Sequence, residues 1–297
     1  WAQPPKMVVL AGNGHYDYLG ANTTEPNHLP PMLVQTPDGV CAADGLLADT
    51  SGDSLPDVAI GRLPALTAAD LAAMIAKIKA YEAGFGEEWQ NQLVLVADQS
   101  GSAGRFSDSN TKFAELATAP YAVAKRIDLD AMAVGPARAE LMDSFRTGAG
   151  FIHYTGHGGL FSFGGRNILS TADVGAMGNT TRPPIAVALS CLLGRYELPA
   201  TDSLGELLMR RSQGGAVALL APSGLSFNAP ATELGEAFYR AVLQDGVGTL
   251  GLAFLQARRS LPGDLATRET FAVYNLLGDP ALRIAGNEMT NGAPASA

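Results

Sequence analysis

Gly150-Phe-Ile-His-Tyr-Thr-Gly-His-Gly-Gly159 decides how the rest of this chain is read. Its apolar core is too short for a helix and stops at a glycine, so it predicts a strand over Gly150–Tyr154. Ile185–Leu189 (IAVAL) and Ala216–Leu220 (AVALL) have the same form. None of the three alternates with polar residues in the manner of a half-exposed strand. Strands of this kind sit in the middle of a parallel sheet, covered on both faces. Helical patterns follow in turn, as over Leu204–Arg211 and Thr232–Leu243, and this alternation predicts an α/β fold.

The flanks extend the pattern. Met7–Ala11, Val58–Ile60, Leu93–Ala97 and Ala122–Leu129 read as strands. Thr67 reads as an N-cap ahead of Leu71, Met74, Ile75, Ile78 and Tyr81, which recur at helical spacing. Further helices are expected over Asn110–Ala117, Ala137–Thr147, Leu250–Arg259 and Thr267–Leu276, with a last strand near Leu282–Ile284. Asn13–Pro56, rich in Gly, Pro, Asn and Asp, reads as loop. A boundary near Tyr81–Glu88 divides an N-terminal subdomain (1–84) from a second one (85–286), and 287–297 reads as a tail or linker.

Composition narrows the field. The 297 residues are 47% hydrophobic, enough for a substantial core. The net charge of −9 and the absence of a Lys/Arg run argue against a nucleic-acid partner. No apolar run reaches the roughly 18 residues of a membrane span. Trp1-Ala2-Gln3 is no signal peptide, and the missing Met suggests a piece of a longer chain. Two cysteines, Cys41 and Cys191, make no disulfide scaffold, and the four histidines show no metal-ligand spacing.

In parallel sheets, sites form in the loops at the carboxyl ends of strands. The strand from Gly150 ends in Thr155-Gly-His157-Gly158, and the strand from Ile185 ends in Ser190-Cys191, 34 residues beyond His157. If the strands are neighbours, an imidazole and a thiol share one rim. The imidazole would take the thiol proton, and the sulfur would act as nucleophile. The Gly158 and Cys191 amides would form an oxyanion hole. Taken alone, the two residues leave blander roles open: a buried Cys as a small apolar residue, a His as a structural one. His153, inside the apolar strand, reads as a hydrogen-bonded core histidine. A serine esterase, suggested by His157-Gly158-Gly159, lacks the G-x-S-x-G elbow it needs. A non-catalytic binding or scaffolding module with the same fold is the alternative that remains.

Taken together, Tyr154-Thr-Gly-His-Gly-Gly159, Leu189-Ser-Cys-Leu-Leu-Gly194 and Ser203-Leu-Gly-Glu-Leu-Leu-Met209 resemble the gingipain family of caspase-like cysteine peptidases. So do Asp57-Val-Ala-Ile-Gly-Arg-Leu-Pro64 and Leu277-Gly-Asp-Pro-Ala-Leu282. The likeness runs from about Met7 to Ile284. It implies a caspase-hemoglobinase-like fold with helices on both faces of the sheet, and a cysteine endopeptidase secreted by bacteria or held at their surface. Its partners would be protein or peptide substrates, and its chemistry would need no cofactor. Cys191 would attack the scissile carbonyl and His157 would protonate the leaving amine. An acidic residue after Leu93–Ala97 would orient the histidine. Asp98 is the candidate, with Gln99 or Ser100 as alternatives in register.

For the pocket that takes the P1 side chain, the resemblance points to Gly104–Asp108. Asp108 there would select Arg or Lys; Arg105 in its place would select acidic residues. Asp108 as a mere helix-start residue is the plain alternative. Phe227 matches an aromatic that covers the P1 side chain, and Ser223 is a candidate for binding substrate backbone. Asp49, Asp53 and Asp57 lie in a Gly-containing loop, and relatives carry structural calcium. A solvated acidic turn is the other reading of those carboxylates. The family has a further βα segment before Met7–Ala11, and a propeptide; both would precede Trp1.

Overall fold

The computed structural model describes residues 5–37, 39–261 and 265–287. In chain order its strands and helices begin with β1 (Met7–Ala11), the hairpin β2 (Leu33–Thr36) and β3 (Gly39–Ala42), β4 (Ala59–Leu63) and α1 (Ala68–Ala83). Then come β5 (Gln92–Ala97), α2 (Phe106–Leu116), β6 (Ala122–Asp128), α3 (Val134–Thr147) and β7 (Phe151–Thr155). Three two-residue strands, β8 (Gly158–Gly159), β9 (Ser162–Phe163) and β10 (Leu169–Ser170), precede α4 (Thr171–Val174) and β11 (Ile185–Leu189). The chain continues with α5 (Leu204–Arg210), β12 (Ala218–Pro222), α6 (Asn228–Leu243), α7 (Leu250–Arg259), α8 (Leu265–Val273) and β13 (Tyr274–Leu277).

Eight strands form one sheet in the order β1-β4-β13-β12-β11-β7-β5-β6. Every pairing in it is parallel except β12 with β13. Strands from both sides of Tyr81–Glu88 therefore lie in a single sheet. Along β5 and β7 the side chains alternate between two cores. Leu93, Leu95 and Phe151 face Phe113, Leu234, Phe238 and Phe254 of α2, α6 and α7. Val94, Val96, Ile152 and Tyr154 face Met74, Leu141, Phe145 and Leu208 of α1, α3 and α5. Rings such as Phe151 and Phe238 are fully buried, each worth about 1.5–3 kcal/mol relative to exposure.

Two spaced motifs meet at the β4–β13 seam. Gly278 N donates to Arg62 O at 2.7 Å. A Cβ at Gly61 would lie 2.4 Å from Gly278 O, so only glycine permits that approach. Arg62 is fully buried and grips Asp44 through two nitrogens, each at 2.7 Å. Tyr196 Oη donates to the same carboxylate at 2.6 Å. The pair's geometry is bidentate and further hydrogen-bonded, the condition under which a buried ion pair is tolerated.

The fold corrects three expectations. Asn13–Pro56 is not loop throughout: it holds the β2–β3 hairpin and a 3-10 turn over Asp44–Ala48. The helix expected to Leu276 stops at Val273, and Tyr274–Leu277 pairs with β12 and β4 instead. Two flanking strands with open ladder groups outweigh helical spacing. Leu282–Ile284 makes a single bridge, Thr249 with Arg283, rather than a strand. Thr67 caps α1 as expected, in a reciprocal capping box with Asp70. Of the expected tail, residues 288–297 lie outside the described residues. Among those described, no helix is long and apolar enough to cross a membrane.

Candidate functional site

Strand β7 lies between β5 and β11, and its registers run Leu189↔Thr155 and Ala97↔Thr155. The three strands thus end level with one another. After β5 the chain runs outward to β6, and after β7 it runs the other way to β11. That divergence opens a crevice at the carboxyl ends. Into it come Asp98, His157 and Cys191, one from each strand tip.

His157 is exposed. The ring of buried Phe106, at the start of α2, meets its imidazole edge-on at 5.4 Å and 81°. Its main chain is held on both sides. The amide donates to Asp98 Oδ2 at 3.1 Å, and the carbonyl accepts from Gly164 N at 2.8 Å and Tyr154 Oη at 2.5 Å. Asp98 is buried and its other oxygen accepts from Gln99 N at 2.8 Å. The carboxylate thus grips the histidine's backbone.

Cys191 is half-buried and forms no disulfide. Its Sγ lies 3.4 Å from the Ser226 amide, which donates to it, and 3.6 Å from Ser226 O. Leu192, the next residue, has φ +62°, a left-handed conformation that costs a non-glycine residue about 1–2 kcal/mol. The turn is secured by Leu192 N to Gly224 O and Gly194 N to Pro222 O, at 3.1 and 2.9 Å. Strain held this way fixes the backbone immediately after the sulfur-bearing residue.

The loops after β7 and β11 touch. Gly156 N donates to Leu189 O at 3.2 Å. A Cβ at Gly158 would lie 2.7 Å from both Cys191 O and Ser190 Oγ, so the Gly158 backbone abuts the nucleophile's own peptide.

The remaining predicted residues divide. Phe227 precedes α6 and is 67% exposed, free to cover a bound side chain. Asn228 Nδ2 donates to Ala103 O at 3.1 Å, bringing the turn before Arg105 against the start of α6. Asp108 is exposed in the first turn of α2, and Arg105 is the residue before that helix. Arg105 has its charge near Asp130; hydrogen bonds from Ser100, and then that charge, hold Asp130 below the usual carboxylate range. Ser223 does not line the crevice. It is fully buried and donates to Ala42 O at 2.6 Å, tying β12 to the β2–β3 hairpin. Its hydroxyl also reaches Val273 O at 3.1 Å, so it is spent on main-chain carbonyls of the core.

The acidic loop does not fit calcium. Asp49 accepts from Gly52 N and Ser54 N, at 2.6 and 2.9 Å, and Asp53 accepts from Leu55 N. Asp57 accepts from Thr50 and Ser51 and pairs with Arg259 at 2.7 Å. These contacts, Arg259 foremost, hold Asp57 far below the usual range. Carboxylates already satisfied by amides and a guanidinium present no converging oxygens. Among the described residues no three His, Cys, Asp or Glu side chains form a metal-holding group.

His153 is a core histidine. It is fully buried, with Nδ1 3.1 Å from Tyr239 Oη and Nε2 2.6 Å from Thr155 Oγ1, and burial drives it down to about 3. Sequence reading missed Phe106 and the Ser226 amide. Phe106 lies inside Gly104–Asp108 and Ser226 directly precedes Phe227, but neither residue type signals such a contact by itself.

A family model described as Peptidase family C25 matches residues 1–285. No curated protein matches the chain significantly. Among solved structures it is similar to the Arg-specific cysteine proteinase gingipain R, at 19% identity and a TM-score of 0.77, over 94% of this chain and 64% of that one. A complex of the pro- and mature domains of RgpB from Porphyromonas gingivalis gives 19% and 0.77, over 94% and 66%. A separase–securin complex from Saccharomyces cerevisiae gives 13% and 0.51, over 75% and 14%. The likenesses show a shared caspase-like α/β fold; the chain spans less than two thirds of each of these proteins.

Proposed function

Because this chain belongs to peptidase family C25, we propose that it is a cysteine endopeptidase that uses Cys191 and His157 as a dyad. The observation that carries the reading is the meeting of the two strand tips, with the Gly158 peptide against that of Cys191. In the reaction, the Cys191 thiol gives its proton to His157 as Sγ attacks the scissile carbonyl carbon, and the carbonyl oxygen becomes an oxyanion beside the Gly158 and Cys191 amides. Collapse breaks the C–N bond while His157 gives its proton to the leaving amine. A water then attacks the thioester, giving its proton to His157, and the acid product leaves as the thiol reforms. Asp98 supports the histidine through its main chain.

The P1 preference is for Arg or Lys. Asp108, exposed in the first turn of α2, is the anionic candidate that the gingipain resemblance marks for the pocket, and gingipain R is described as Arg-specific. Substrates are proteins or peptides met outside the cell, as the gingipain resemblance implies, and a propeptide is a further expected partner. A panel of fluorogenic peptides varied at P1 tests all of this. Cleavage after Arg or Lys should vanish in Cys191→Ala and on iodoacetamide treatment. Cleavage that survives alkylation would overturn the cysteine mechanism, and cleavage only after Asp or Glu would replace Asp108 by Arg105.

A further inference from the structure

Tyr154 is fully buried near the end of β7, its ring stacked on Phe163 at 4.4 Å and 6°. Its hydroxyl does not simply satisfy itself in the core. It donates at 2.5 Å to His157 O, which Gly164 N also reaches at 2.8 Å. That oxygen belongs to the His157–Gly158 peptide, whose other end is the Gly158 amide. Among the described residues the one cis bond is Ala119–Pro120, so this peptide is trans. In a trans peptide the C=O and N–H point in opposite directions. Two donors that pin the oxygen inward therefore aim the Gly158 N–H outward.

The small sheet agrees. Gly158 pairs with Phe163 and Gly159 with Ser162, antiparallel. Gly164 N to His157 O makes 157/164 a hydrogen-bonded pair, so 158/163 is a non-hydrogen-bonded one. The Gly158 N–H is thus turned away from β9. Burial, reinforced by the charge of the Asp98 carboxylate and a hydrogen bond to it, pushes the Tyr154 hydroxyl well above its usual pKa, so it remains a donor. A carbonyl that accepts hydrogen bonds also polarises its own peptide and strengthens the N–H.

We propose that Tyr154 is a positioning residue of the oxyanion hole, aiming and polarising the Gly158 amide by holding the oxygen of the same peptide. This rests on the peptidase reading above. Removing an oxyanion-hole donor costs about 10²–10³-fold in rate. Loosening its aim, with Gly164 still bonded to the oxygen, should cost about 10–100-fold on the same scale.

Tyr154→Phe keeps the ring stack and leaves His157 O one donor, so the fold should persist. Three readouts separate aim from damage. A peptidyl aldehyde adds the Cys191 thiol across its C=O, forming a hemithioacetal whose oxygen occupies the hole. Iodoacetamide alkylates the same sulfur with loss of iodide and develops no oxyanion. In Y154F, kcat/KM and aldehyde affinity should fall together by about 10–100-fold, with the alkylation rate within about twofold of wild type. Phe163→Leu, which disturbs the same packing but keeps the hydroxyl, should retain aldehyde affinity. The proposal is overturned if Y154F binds the aldehyde as wild type does, if alkylation slows in parallel, or if F163L loses as much affinity as Y154F. A wild-type chain that binds the aldehyde but turns over no substrate sinks the peptidase reading, and the aldehyde comparison still decides Tyr154.

Discussion

His153 and His157 lie four residues apart, one inside β7 and the other just past its tip, and their surroundings are opposite. The first is sealed between Phe113 and Tyr239, hydrogen-bonded at both nitrogens and driven neutral by burial. The second is exposed, its backbone clamped and its ring meeting Phe106 by an edge. A paired strand buries whatever side chain it carries. Where the ladder ends, the backbone can be fixed by side chains while the imidazole is left to do chemistry. The residue type is the same; the end of the ladder decides its use.

The contrast breaks first at its active end. His157→Ala should lower kcat/KM by about 10³-fold or more while the melting temperature hardly moves, because the ring is exposed. A variant that loses its fold instead would make His157 a structural residue like His153. Next, Asp98→Asn should lower activity by about 10–100-fold, the loss expected of a charge-assisted hydrogen bond worth about 1.5–3 kcal/mol. Unchanged kcat/KM in this variant would show that the clamp on the His157 amide is dispensable.

The inner histidine gives the converse. His153→Gln should destabilise the fold at pH 7 by about 2–3 kcal/mol through lost packing, with little change in KM. It should also flatten one limb of the stability–pH curve. The folded value near 3 lies below the ordinary 6.5, so the unfolded chain binds the extra proton between those values. Stability from this group is complete above about 6.5 and is lost as pH falls toward 3. Urea titrations of wild type and variant across pH 4–8 would show it; parallel curves would mean that His153 is not buried neutral. The smallest effect belongs to Ser223→Ala. It should cost about 1 kcal/mol for the lost bond to Ala42 and leave KM unchanged. A raised KM would return Ser223 to the substrate.

The sheet was legible because its central strands are short runs rich in apolar residues with no alternation of polar ones, a pattern with few other uses. Ile185–Leu189 and Leu250–Arg259 agree with the sequence reading to the residue. Tyr274–Leu277 was not legible, since a strand that owes its form to two neighbours carries no signal of its own. The site divides in the same way. Cys191 and His157 announce themselves by residue type and by place after a strand. Ser223 has the type of a substrate-binding residue and the surroundings of a core one.

By itself, the sequence determined the alternation of strands and helices, and which strand tips carry sulfur and imidazole. Both follow from local patterns a few residues long. Only the tertiary structure decided that β7 lies between β5 and β11, that Asp98 grips a backbone amide, that Ser226 reaches the sulfur, and that Tyr154 turns the Gly158 peptide outward. Each of those depends on groups distant in sequence arriving at one point with a particular direction, and direction is a property of packing that no run of neighbouring residues encodes.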